Sequence, residues 1–245
     1  MADFILRTGC RSVQGLRPNN EDRFLVDAAL NVFMVADGMG GQERGEQASG
    51  MAVEIVPQIL HKSLAAHDPV APALRKALAE ANQAIVHASQ NQPPGRRMGT
   101  TAVVAVEQQG QVYVTGLGDS RAYLIRGDRV EQLTVDHSVA QALVAKGVFT
   151  PEEARQSPLS NVLHKFLGCA EMSEDAEVRP FTPAAGDRLL LASDGLTNHV
   201  SDEDLCQGIQ QYPDPQSLAD HLVNLALERG SRDNVTCVVV AFEQE

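Results

Sequence analysis

An α+β fold built on mostly antiparallel sheets is what the sequence predicts, on three observations. Strand-like stretches at residues 4–11, 23–27 and 31–36 follow one another with only loops or turns between them. Such short connections favour antiparallel neighbours over the long crossovers of parallel ones. Two amphipathic helical patterns come next; strands then resume, and helices return before a last strand.

In the first helical pattern, residues 46–64, the positions Ala48, Met51, Ala52, Ile55 and Ile59 recur at three- and four-residue steps. Pro57 is expected to kink or shorten that helix. In the second, residues 73–88, Leu74, Ala77, Leu78, Ala81 and Ile85 form one apolar stripe. Strands are expected at 100–106, 111–116 and 121–126, with Gln109-Gly110 and Gly127-Asp128 as the turns. Thr150, Pro151 and Glu153 supply a cap, a first-position proline and the return carboxylate of a capping box, so a helix starts there. A strand at 187–192 precedes a second capping box, Ser201 with Asp204. Leu218, Leu222, Leu225 and Ala226 then mark a helix ending before Gly230, and a strand at 235–242 closes the chain. The loop Pro93-Pro94-Gly95-Arg96-Arg97 is too short for an interdomain linker, so residues 1–245 are expected to form one domain.

Charge restricts the partners. The chain has 20 Lys and Arg against 32 Asp and Glu, a net charge of −12. Such a surface repels phosphate backbones, which argues against nucleic-acid binding and against anionic membranes. Any phosphate it handles needs local positive charge, from a few arginines or from bound metal. Trp is absent, so aromatic stacking is not its mode of recognition. Cys10, Cys169, Cys206 and Cys237 form no C-x-x-C pair, and none begins the C-x-x-x-x-x-R loop of a cysteine-nucleophile phosphatase. Neither a secretory signal nor an apolar run near the ~20 residues of a membrane span is visible, and the cytoplasm is the expected address.

Candidate chemistry gathers on aspartates. Val32–Ala36 runs into Asp37-Gly38, Leu189–Ser193 into Asp194-Gly195, and Tyr113–Gly118 into Asp119-Ser120; Asp233 directly precedes the final strand pattern. Carboxylates at strand ends are rigidly placed, and a following glycine admits close approach. Together they would repel one another unless a divalent cation neutralised them, and hard oxygen donors suit Mg²⁺ or Mn²⁺. Asp-Gly is also a common turn, and spacing alone does not make four aspartates converge; both readings stand on pattern. The loop Gln14-Gly15-Leu16-Arg17-Pro18-Asn19-Asn20-Glu21-Asp22 could hold an oxyanion on Arg17 while its acids orient bound water, or could be a surface turn with a local ion pair.

In this order the segments resemble the metal-dependent protein phosphatases of the PPM family (the PP2C type), in the form usual for its bacterial branch. The likeness runs from about Arg11 to Phe242. It is carried by Arg17-x-x-x-Glu21-Asp22, Asp37-Gly38-Met39-Gly40-Gly41, Gly99-Thr100-Thr101, Gly118-Asp119-Ser120-Arg121, Asp136-His137-Ser138, Ser193-Asp194-Gly195-Leu196 and Asp233-Asn234-Val235-Thr236.

The resemblance implies an antiparallel β-sandwich flanked by helix pairs, with a flap over residues 139–168. It implies Mn²⁺ or Mg²⁺ as cofactor, in two core sites and a weaker third. Asp37 would bridge the core ions with the Gly38 carbonyl on one of them, Asp194 and Asp233 would hold the other, and Asp22 and Glu21 would act through water. Asp119, with Asp194, would hold the third. Arg17 would clamp the substrate phosphate, so that Arg17, Asp37 and Asp194 carry catalysis. The implied reaction is hydrolysis of phosphoserine and phosphothreonine in proteins by a metal-bridged hydroxide, reversing a Hanks-type serine/threonine kinase, by a cytoplasmic monomer.

Some positions depart from the family pattern. Met39 stands where animal and plant relatives carry a His that protonates the leaving group, and Gln42 where many bacterial relatives carry one. His137 is the substitute candidate, though a His at a strand-to-helix junction is more often structural. In the flap, Ser157 and Ser160 occupy the neighbourhood where relatives often have His and Arg; His164 and Lys165 read as solvated helix positions. A phosphomonoesterase for small metabolites, or a metal-binding regulatory module without turnover, are the competing functions.

Overall fold

The computed structural model describes residues 4–40, 43–90, 98–170 and 176–244; the predicted 93–97 loop is outside them. Strands β1 (Phe4–Val13), β2 (Asp22–Asp27) and β3 (Val32–Met39) lead to helices α1 (Glu43–Ala65) and α2 (Val70–Ala88). Strands β4 (Gly99–Thr100), β5 (Ala102–Gln108), β6 (Gln111–Leu117), β7 (Arg121–Arg126) and β8 (Arg129–Gln132) follow. The flap holds α3 (Val139–Ala145), α4 (Pro151–Gln156) and a 3₁₀ turn, Pro158–Asn161. The chain then forms β9 (Val178–Phe181), β10 (Arg188–Ala192), α5 (Asp194–Thr197), α6 (Asp202–Gln211), α7 (Pro215–Glu228) and β11 (Val235–Gln244).

One sheet has the order β1-β11-β10-β7-β8 and the other β2-β3-β5-β6-β9, with β4 paired to β3. The pairings within both are antiparallel. Three apolar cores separate four layers. Phe33 and Val35 face Leu189, Leu191, Val238 and Val240 between the sheets. Val32, Met34 and Ala36 point the other way, against α1 and α2. Leu190, Ala192, Cys237 and Val239 meet Leu218, Leu222 and Ala226 of α7. A sheet covered on both faces must be apolar at every position, which is why β3, β10 and β11 read as continuous hydrophobic runs. The sandwich implied by the resemblance is the one observed.

Several expectations need correction. Pro57 neither ends nor shortens α1, which runs through it for 23 residues. The deeply buried stripe is Ala48, Ala52, Val56 and Leu60, each fully buried; Met51, Ile55 and Ile59 pack beside it. This tertiary packing outweighs a proline penalty of about 3 kcal/mol. Strand β3 does not stop at Asp37 but continues through Met39, where β4 takes over the pairing. Edge strands β8 and β9 escape the sequence because their largely exposed residues carry no apolar alternation, and Pro180 reads against a strand although an edge tolerates it. His164 and Lys165 lie in a bend rather than a helix, between the bridges Ser138–Leu163 and Thr100–Leu167. Both capping boxes form as predicted. No helix among the described residues is long and apolar enough to cross a membrane.

Candidate metal centre

Asp37, Asp119, Asp194 and Asp233 come together on one cavity. Register sets Asp22 of β2 opposite Asp37 of β3. The Asp37 N–H donates to Thr101 Oγ1 at 2.9 Å, and the Asp37 carbonyl accepts from the Thr101 N–H at 2.9 Å. The Thr101 hydroxyl also meets Ser120 Oγ at 2.6 Å, so one threonine joins the Asp37 strand to the turn that carries Asp119. Gly38 donates its N–H to the Glu21 carbonyl at 3.2 Å. A Cβ at position 38 would lie 2.2 Å from the Gly45 carbonyl oxygen, so only glycine lets the first turn of α1 approach this strand.

On the opposite sheet, Ser193 donates its hydroxyl to Asp22 Oδ2 at 2.8 Å and accepts from the Thr236 N–H at 3.1 Å. Asp194 follows it as the first residue of α5. Asn234 ties three segments together: its Oδ1 accepts from the Glu21 N–H at 2.8 Å, and its Nδ2 donates to the carbonyls of Gln14 and Asn19 at 2.8 and 2.9 Å. Neighbouring Asp233 accepts a 2.6 Å hydrogen bond from Arg17.

The result is a cavity of about 340 Å³ whose wall includes Arg17, Glu21, Asp37, Gly38, Asp119, Asp194 and Asp233. Asp22 alone of the predicted residues is outside that wall, 1% exposed behind it. Thr101, Asn161, Leu163 and Asn234 also line the cavity; motif signals existed for each (Gly-Thr-Thr, the Asn161-Val162-Leu163 run, Asp-Asn), but their roles as connectors and as flap wall needed coordinates. His137 is absent from this wall. Burial, with Lys165 and His164 nearby, pushes its imidazole down to about 4, which disfavours the imidazolium form. Gln42 lies outside the described residues.

Electrostatics test the fit of a cation. Burial raises Asp37 well above the carboxylate range, and Asp22, Asp194, Asp119 and Asp233 raise it further. Burial, then Asp233, raises Asp194, which shares a hydrogen bond with Asp37. Burial lifts Asp119 to about 7, with Asp194 and Asp136 adding repulsion, and lifts Asp22 to about 6. Oδ1 of Asp22 is buried without a hydrogen-bond partner. Carboxylates held this close repel one another beyond what Arg17 on Asp233 offsets, and hard divalent cations supply the further countercharge. Among the described residues no three His, Cys, Asp or Glu side chains stand ready to cage one ion.

A model of the Protein phosphatase 2C family matches residues 14–229. The chain belongs to that family. The serine/threonine phosphatase stp of Listeria innocua is 34% identical over 231 residues, 92% of this chain and 91% of that protein. The serine/threonine protein phosphatase PstP of Mycobacterium tuberculosis is 37% identical over 96% of this chain, which spans 45% of the length of that relative. The crystal structure of the M. tuberculosis PstP phosphatase superposes with a TM-score of 0.85 at 35% identity, covering 98% of this chain and 99% of that one. A PstP catalytic domain in complex with two manganese ions has a TM-score of 0.81 at 33% identity, over 99% and 100% of the two chains. In this phosphatase 2C chain Arg17, Glu21, Asp37, Asp119, Asp194 and Asp233 thus line one acidic cavity.

Proposed function

We propose that the protein hydrolyses phosphoserine and phosphothreonine in proteins, with Mn²⁺ or Mg²⁺ held by Asp37, the Gly38 carbonyl, Asp194 and Asp233, a weaker ion at Asp119, and Glu21 and Asp22 acting through water. The observation that carries this reading is the convergence of Asp37, Asp119, Asp194 and Asp233 with Arg17 on one cavity. Bound ions would supply Lewis acidity and activate water.

The protein's own groups do the rest. Arg17 is 57% exposed and can turn from Asp233 to a phosphoryl oxygen, offering paired N–H donors to charge on the equatorial oxygens. Asp22 accepts from the Ser193 hydroxyl and stands opposite Asp37 in the β2–β3 register. Asn161 and Leu163 of the flap close one side, limiting solvent. Water is the proposed proton donor to the leaving alkoxide.

A polypeptide substrate fits better than a small metabolite. At Asp119, Asn161 and Asp194 the cavity continues into a groove of about 650 Å³ beneath the flap, room for residues flanking the phosphorylated one. A regulatory module without turnover would be missing ligand residues, and the chain carries every one that the resemblance names. The narrower reading, a cytoplasmic monomer opposing a Hanks-type kinase, rests on the resemblance and on bacterial relatives named as serine/threonine phosphatases.

The test is phosphate release from a phosphothreonine peptide and from free phosphothreonine, each with Mn²⁺ and with EDTA. Metal-dependent release, faster from the peptide, is expected. Release from the free amino acid alone would establish the metabolite enzyme, and none from folded protein would establish the regulatory module.

A further inference from the structure

We infer that His137 is a positioning residue for Asp119, holding the Asp119 turn through Gly118 and coupling it to the flap. The inference rests on the reading of Asp119 as a metal ligand. Gly118 is buried, with a φ of +96°, and both of its backbone polar groups are bound by His137. The Gly118 N–H donates to His137 Nδ1 at 3.3 Å, and the His137 N–H donates to the Gly118 carbonyl at 2.9 Å. On the far side of Asp119, Ser120 is held by Thr101. Asp119 therefore sits between two anchored neighbours. The Gly118 anchor has no slack: a Cβ there would lie 2.6 Å from Thr101 Cγ2.

The same histidine reaches the flap. The His164 N–H donates to the His137 carbonyl at 2.9 Å, and the two rings meet edge to face at 5.9 Å. The next residue, Ser138, bridges to Leu163, and the Val139 N–H donates to the Val162 carbonyl at 2.8 Å. Asn161 and Leu163, at the end of this connection, stand in the cavity wall with Asp119. A path of hydrogen bonds thus joins the flap wall to Gly118, the residue that leads into Asp119. Its central link needs an acceptor at the Nδ1 position; an apolar side chain of equal bulk would leave a buried N–H unpaired, which loosens the turn rather than merely opening a void.

The test compares His137→Leu, which keeps bulk without an acceptor, with His137→Asn, whose Oδ1 falls near the position of Nδ1. Asp119→Asn runs alongside. In metal-free protein, amide exchange at Gly118 is expected to quicken roughly tenfold in His137→Leu and to stay slow in His137→Asn, as for a lost local hydrogen bond. In Mn²⁺ titration calorimetry the weakest site is expected to lose roughly ten- to a hundredfold affinity in His137→Leu, with His137→Asn restoring most of it and the tighter sites unmoved. Wild-type exchange and Mn²⁺ binding in His137→Leu would overturn the proposal. If Asp119→Asn also binds Mn²⁺ normally, the ligand assignment falls and takes the proposal with it; if Asp119→Asn weakens binding while His137→Leu does not, only the role of His137 is overturned. Should His137→Leu not fold, His137→Asn against His137→Gln, which moves the amide out to the Nε2 position, decides it by the same readouts, and equal behaviour of the two overturns it.

Discussion

Arg17 donates a 2.6 Å hydrogen bond to Asp233 across 216 residues of chain, from the loop after β1 to the turn before β11. The cation that best suits a substrate phosphate is thereby parked on a carboxylate that best suits a metal. Asp233 raises the Arg17 guanidinium pKa, chiefly through that hydrogen bond, and Asp194 and Asp37 add to it. Phosphate and metal binding would therefore share one switchable contact.

Replacing Arg17 with Ala should raise KM for a phosphothreonine peptide roughly tenfold, the worth of one charge-assisted hydrogen bond, with a smaller fall in kcat. Arg17→Lys should recover only part of this, because it cannot offer paired donors. Steady-state kinetics at saturating Mn²⁺ decide; an unchanged KM would move the phosphate clamp elsewhere.

Asp37→Asn and Asp194→Asn should each lower kcat on the order of a thousandfold, about 4 kcal/mol of transition-state stabilisation. Each should also raise the Tm of metal-free protein by a few degrees, since a charge leaves a mutually repelling cluster. Calorimetry in EDTA reads the second effect, and a lowered Tm would show that the cluster is held together by that carboxyl instead.

Metal removal should expose a pH dependence. Asp22 and Asp119 are raised to about 6 and about 7, above the usual carboxylate range. Folding then favours their protonated forms, so the metal-free protein should be most stable near pH 4 and lose stability as pH rises toward 7. Saturating Mn²⁺ should reverse that trend. Denaturant unfolding across this range, with and without metal, measures it; parallel curves would contradict a cation-neutralised cluster.

Far from the cavity, Asp204 accepts the Ser201 N–H at 2.7 Å and pairs with Arg229 at 2.5 Å. These bonds, Arg229 first, hold its carboxyl well below the ordinary range. The stabilisation is thus complete above the unfolded carboxyl pKa and fades as pH falls below about 4. Asp204→Asn should cost about 1 kcal/mol at neutral pH and progressively less in acid. Thermal melts at pH 7 and pH 3, with kcat unchanged, are the check.

Much of this molecule is legible before it folds. Runs such as Val32–Ala36 declare strands buried on both faces, Thr150 and Ser201 declare helix starts, and Asp37, Asp119, Asp194 and Asp233 stand in motifs specific enough to carry the family and its chemistry. Local propensity, caps and hydrophobic period act over a few residues, and those are what a sequence displays.

Other features belong to the tertiary structure alone. Pro57 remains inside α1 because the helix is clamped between a sheet and α2, a long-range term that local propensity does not contain. Edge strands β8 and β9 exist because neighbours offer open hydrogen-bonding edges, not because their own residues demand it. The placing of Asp22 opposite Asp37, the clasp of Arg17 on Asp233 and the pair of hydrogen bonds between His137 and Gly118 join residues far apart in the chain. Which carboxylates are buried together, and so how strongly they repel and call for a cation, is fixed only when two sheets close on each other and exclude water between them.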